Sequence, residues 1–143
     1  MPANSWKLAS GLNAVGAYQV SGRPYATGSV NCSVDARALD DCTIVFPYVA
    51  RWFQVINKDT SNDCKVAFSI TGMTGSFNYF TVPKADVDAN GAAGASAILE
   101  LKVSSIVISG STNVDVVAGL TSIPARQTAT DSGTNWSGST GVG

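Results

Sequence analysis

Over residues 64–71 the side chains alternate one for one: Cys64, Val66, Phe68 and Ile70 against Lys65, Ala67, Ser69 and Thr71. A period of two is the signature of a strand with one face on a core, and no helix accommodates it. The same pattern recurs in short runs along the chain. Ala26, Gly28, Val30, Cys32 and Val34 alternate with Thr27, Ser29, Asn31 and Ser33. Cys42, Ile44 and Phe46 share one face of a second run, with Thr43 and Val45 opposite, and Pro47 ends it. Residues 49–56 follow at once, with Arg51, Phe53 and Val55 on one face and Trp52, Gln54 and Ile56 on the other. This third run is apolar on both sides, so one face must be covered by the core and the other by something else.

Residues 59–63, Asp-Thr-Ser-Asn-Asp, read as a turn, and Gly72 to Gly75 as another. A fifth strand is expected over 77–82, stopped by Pro83. After a loop over 84–95, Ala97, Leu99, Leu101 and Val103 alternate with Ile98, Glu100, Lys102 and Ser104. A bulge at Ser104-Ser105 leads into 106–108, and a turn over 110–113 into a last strand with Val114, Val116, Ala118 and Leu120 on one face. About eight short strands separated by turn signals predict an all-β single domain, a β-sandwich or jelly roll. The expected organisation is an N-terminal arm over 1–23, a sandwich over 24–123 and a Gly/Ser/Thr-rich C-terminal arm over 124–143 that cannot fold alone.

Of the 143 residues only 13% are charged, about half the usual share, and a lone surface with so little charge invites association. Part of the surface is therefore expected to be covered in the working state. A net charge of −1 leaves no basic excess for phosphates, so neither nucleic acid nor an anionic membrane surface is an expected partner. No apolar run approaches the roughly 20 residues of a membrane helix, and the first residues do not read as a secretory signal. The odd set Cys32, Cys42 and Cys64 reads as small buried hydrophobes in a reducing cytosol; one disulfide pair is the alternative outside the cell.

The chain has no histidine, which removes the commonest general base, nucleophile activator and transition-metal ligand. Asp35, Asp40, Asp41 and Glu100 offer no carboxylate pair whose spacing argues for acid–base work, so no enzymatic activity and no catalytic residue is expected. Asp86-Val87-Asp88-Ala89-Asn90-Gly91 matches the first half of a calcium loop, with Asp86, Asp88 and Asn90 as oxygen donors. The position of the bidentate glutamate holds Ala97, and the favoured reading is an Asx-rich loop with no metal and no cofactor. Trp6, Tyr18 and Trp136 stand alone in polar arm sequence. Burying an aromatic of that size gains about 1.5–3 kcal/mol, so they are the candidate subunit contacts, with folding back on the chain's own sandwich as the alternative.

Residues 44–57, Ile-Val-Phe-Pro-Tyr-Val-Ala-Arg-Trp-Phe-Gln-Val-Ile-Asn, with the polar turn and Lys65-Val66-Ala67-Phe68-Ser69 after it, resemble small virion proteins of tailed bacteriophages. So does the run over 114–124 with the Gly/Ser-rich end behind it. The resemblance covers residues 24–143 and is to capsid decoration (cement) or minor capsid proteins, families without a fixed site motif. It implies a shell-bound homo-oligomer, a trimer or dimer, with a major capsid protein as partner and no cofactor. Such a protein is assembled in the host cytoplasm and resides in the virion. The other expectations are a fibre, spike or carbohydrate-binding β-sandwich, with Tyr48, Trp52 and Tyr79 as the aromatics, or a subunit of a filament or tube.

Overall fold

The computed structural model describes residues 11–19, 22–33, 42–75, 77–86 and 94–143. The strands are β1 (Arg23–Val30), β2 (Thr43–Val45), β3 (Tyr48–Asn57), β4 (Cys64–Ala67), β5 (Tyr79–Val82), β6 (Gly94–Ala95), β7 (Ser105–Ser109) and β8 (Val114–Pro124). A short helix α1 (Ile70–Thr74) lies between β4 and β5, and β9 (Ala129–Thr130) and β10 (Gly133–Thr134) form a small terminal hairpin. Single 3-10 turns occupy Val15–Tyr18 and Ala125–Thr128.

Two antiparallel four-stranded sheets make an all-β sandwich, one in the order β1-β8-β3-β6 and the other β2-β7-β4-β5. The pairs are nested. β4 pairs with β5, β3 with β6, β2 with β7 and β1 with β8, as if one long hairpin had been rolled so that successive rungs fall in alternate sheets. The pairs β3–β8 and β4–β7 stitch the rungs together.

The alternation read from the sequence fixes which side chains meet between the sheets. Phe53 and Val55 on β3 and Val114, Val116, Ala118 and Leu120 on β8 face Ile44, Val66, Ile106 and Ile108 of the other sheet, all buried. Phe46 is fully buried with Tyr25 edge-on at 5.0 Å, and Phe68 stands edge-on to Phe53 at 6.2 Å. Cys32, Cys42 and Cys64 are buried free thiols, as expected of small hydrophobes.

Three expected elements differ. β4 stops at Ala67 rather than running to Thr71. Ser69 is extended, and its hydroxyl accepts the Gly72 amide at 2.9 Å, an N-cap that turns residues 70–74 into α1. Ile70, expected in the core, is thereby left 38% exposed, while Ala67 is buried. The alternating run over 97–103 is not a regular strand. The Ser96 hydroxyl takes the Val55 amide at 3.0 Å, so only Gly94–Ala95 and a bridge at Leu99 follow β3, and the edge is irregular. The bulge expected at Ser104-Ser105 is a corner: Val103 carbonyl still bonds Ala50 in the first sheet, whereas β7 belongs to the second. Buried Ser104 holds the corner through a 2.6 Å hydroxyl contact with Thr128.

Candidate functional site

The best-satisfied polar cluster is structural. Asn57, at the inner end of β3, donates its amide to the carbonyls of Asn62 and Val82 and accepts from Ser111 Oγ at 2.7 Å. Next to it the Asp59 carboxylate is 7% exposed. Its Oδ1 accepts the Ser61 and Asn62 amides, and its Oδ2 accepts Asn62 Nδ2, the Thr112 amide and the Thr112 hydroxyl. Burial alone would raise this pKa; the bonds from Thr112, Ser61 and Asn62 outweigh it and hold the carboxyl well below the usual range. A carboxylate so saturated is a clasp between two loops rather than a base.

The other carboxylates near the strands are paired outward. Asp115 Oδ1 meets Lys58 Nζ at 3.0 Å and accepts the amide of Ser29, whose φ is +55°. Glu100 lies 3.8 Å from Arg51 on the exposed edge. Among the described residues no group of three or more His, Cys, Asp or Glu side chains stands together as a metal site. Of the calcium candidates, Asp86 is exposed and described, whereas Asp88 and Asn90 lie outside the described residues, as do Asp35, Asp40 and Asp41.

Trp6 also lies outside them. Tyr18 is half-buried, with Lys102 Nζ 4.8 Å above its ring, and Lys102 reaches on to the Leu12 carbonyl. The Tyr18 hydroxyl is buried without a hydrogen-bond partner in the structure, and burial raises its pKa. Trp136 packs on its own core: its indole Nε1 donates to the Phe68 carbonyl at 2.9 Å.

Trp136 belongs to a strap, residues 129–143, that crosses the outward side of the second sheet. The strap starts where buried Thr128 is tied to Ser104, and it ends against α1. There Ser69 Oγ contacts the carbonyl oxygens of Val142 and Gly143 at 2.9 and 3.0 Å. Contact is so close that a Cβ on Gly72 would sit 2.2 Å from the Val142 carbonyl, and one on Gly143 would sit 2.7 Å from Gly72 Cα. Between these anchors Trp136 pins the strap to the Phe68 carbonyl. Beneath it lies a cleft of about 580 Å³ bounded by Thr43, Ser105 and Val107 of the sheet, Phe68 to Thr71, and Ser132, Thr134, Ser137, Gly138 and Gly143. Sequence reasoning missed this cleft. The usable signals were the Ser69-x-x-Gly72 spacing and the placement of one tryptophan in a tail otherwise built of Gly, Ser and Thr.

A second exposed feature is the outward face of the first sheet. Trp52 lies opposite Gly119, which lies opposite Pro24, and Val117 sits between Gln54 and Ala26. Trp52, Ile56 and Val117 are all half-exposed, so both faces of β3 are apolar and, among the described residues, its outer side is covered only in part. No helix among the described residues is long and apolar enough to cross a membrane. Comparison with protein-family models, with curated proteins and with solved structures finds no match.

Proposed function

We propose that this protein is a structural subunit of a virion, a capsid decoration or minor capsid protein that associates with copies of itself and with a major capsid protein. The observation that supports this reading best is the nested strand order, β1-β8-β3-β6 over β2-β7-β4-β5. That order supports reading the sandwich as a jelly roll, an architecture recurrent in viral capsid domains. The link is one of fold, and folds host many functions. Two further observations favour assembly: a charged fraction of 13% and the half-exposed apolar face around Trp52.

On this reading the subunit acts by mass action. It binds the assembled shell and not its dissociated parts, so each bound copy shifts the shell toward the intact state. Closed trimers or dimers satisfy the symmetry that such subunits favour. The outward face of β1, β8 and β3 is the surface assigned to a neighbouring molecule. The C-terminal strap closes first on its own chain, and its exposed outer side is what it offers to others.

Immunogold electron microscopy of particles purified from the source culture tests the proposal. Antibodies against the chain are expected to decorate the shell in a regular array. Labelling of tail fibres alone would replace the reading with a fibre module, labelling of filaments with a filament subunit, and particles free of label would reject it.

A further inference from the structure

We infer that the free edge of β1 pairs antiparallel with β1 of a second copy, joining two first sheets into one, a contact that rests on the self-association proposed above. β1 is the outer strand of its sheet and is bonded only to β8. The hydrogen bonds of β3 fix which way the backbone of β1 points. Phe53 exchanges both of its bonds with Leu99, while Val55 gives its amide to Ser96 Oγ and takes the Ser96 amide. These odd-numbered residues of β3 therefore face away from β8, and Trp52, Gln54 and Ile56 turn toward Gly119, Val117 and Asp115. By the same alternation Leu120, Ala118 and Val116 turn toward β1, where they meet Arg23, Tyr25 and Thr27. Pro24 and Ala26 are left with their backbone groups pointing off the sheet. Proline has no N–H to give, and here it stands where the ladder asks for none. Pro24, Ala26 and Gly28 are exposed, and the Ala26 amide bonds no other group among the described residues.

Such an edge is a template for another strand, and proteins blunt it with short strands, charges, proline or bulges. The other edge strands of the two sheets, β2, β5 and β6, run three, four and two residues, whereas β1 runs eight. Its lone charge, Arg23, and its lone proline, Pro24, lie at its start, and its register shift comes after Thr27. Ala26 is left unguarded. A two-fold axis through Ala26 makes the pairing self-consistent. The amide of Ala26 then meets the carbonyl of the partner's Ala26, in both directions, and Gly28 falls opposite Pro24. Inward residues stay inward, with Tyr25 beside Thr27 across the axis. A foreign peptide on a sheet edge is selected through pockets for its alternate side chains. Pro24, Ala26 and Gly28 offer almost no side chain for such selection, and their small size lets an identical strand approach. Edge pairing also sets two outward faces side by side, so the half-exposed surface around Trp52 and Val117 is doubled in the pair.

The test is sedimentation velocity of the full chain over a concentration series, with amide hydrogen exchange read by NMR. Reversible association with a dimer as its first step is expected. The Tyr25 amide, bonded within the chain, is expected to be protected at every concentration, and the Ala26 amide only where the dimer is populated. Ala26→Pro deletes that N–H from the free side, spares the ladder with β8 and adds no charge to the outward face. It is expected to weaken the dimer about tenfold or more, the scale of lost hydrogen bonds, with the urea midpoint unchanged. If Ala26→Pro does not fold, Ala26→Lys sets like charges opposite each other across the axis and is expected to dissociate the pair. A parent that stays monomeric at every concentration, a dimer undiminished in the variant that folds, or an Ala26 amide that exchanges as fast in the dimer as in the monomer would each overturn the inference. Immunogold labelling of shells is read separately. A dimer without labelled particles would reject the virion role and keep the edge contact; labelled particles with a dimer indifferent to residue 26 would do the reverse.

Discussion

Asp59 accepts hydrogen bonds from Ser61, Asn62 and Thr112, and through them it joins the β3–β4 loop to the turn before β8. Those bonds favour the ionised form, so its folded pKa lies below the ordinary 3.8 of the unfolded chain. A lowered pKa adds stability that is present above that value and drains away as pH falls below it. Asp59→Asn keeps the shape and turns an NH2 toward donors. It is expected to cost about 2–4 kcal/mol in urea unfolding at pH 7, since bonds to a charged acceptor are worth about 1.5–3 kcal/mol each. At pH 3 the difference between variant and parent is expected to shrink; an equal difference at both pH values would remove the carboxylate from this role. Cys64 makes a second residue-scale case. Burial, reinforced by neighbouring Cys42, pushes its thiol up to about 12. Cys32, Cys42 and Cys64 are therefore expected to resist a thiol reagent in the native protein and to react together on unfolding, and fast native labelling of any would contradict the packing. The burial of these cysteines was legible from their positions in alternating runs. The clasp was not: residues 59–63 announce a turn, but nothing local says that Thr112 completes it.

The elements that obeyed a period of two on a paired strand, β2 and β8 above all, could be read directly, because each inward residue has a core to enter. The run over 97–103 has the same alternation and fails. It lies on an edge, where Ser96 substitutes its own hydroxyl for a ladder partner and nothing pulls the backbone straight. Ser69 defeats the reading of β4 in a comparable way, by capping a helix in the middle of an alternating run. The strap was legible only as a polar tail, since its seat on α1 depends on a backbone approach that glycine alone permits. Gly72→Ala places a Cβ 2.2 Å from the Val142 carbonyl and is expected to unseat the strap's end. Limited proteolysis should then cut within 137–143, and Trp136 emission should shift to the red as its hold on Phe68 loosens. The sandwich itself should stay folded, since the fully buried core residues lie outside the strap and only half-buried Trp136 packs against them from it. A variant as protease-resistant as the parent would mean that Trp136 and Thr128 hold the strap unaided.

At the scale of the molecule, the two faces of β3 have to be treated as different problems. Phe53 points into the sandwich and is fully buried; Trp52, its neighbour, points out and is half-exposed. The periodicity of residues 49–56 already required two coverings, and the fold supplies the inner one in full and the outer one only in part. Which strands lie beside β3 was beyond local pattern, because β8 and β6 come from distant parts of the chain and their pairing is decided by loop closure and the shared core. The two substitutions therefore separate folding from assembly. Phe53→Ala leaves a cavity between the sheets and is expected to cost about 3–5 kcal/mol, unfolding much of the protein. Trp52→Lys leaves the core intact and puts a charge on the sheet face that Val117, Gly119 and Pro24 share. Its urea midpoint is expected to stay close to the parent's, while sedimentation velocity shows lost or weakened self-association and immunogold labelling of shells falls. A Trp52→Lys protein that unfolds as readily as Phe53→Ala would make the outer face part of the fold's own stability. One that assembles as well as the parent would move the contact surface off the first sheet, leaving the exposed side of the strap and Phe77, 91% exposed beside β5, as the apolar ground on which neighbouring subunits meet.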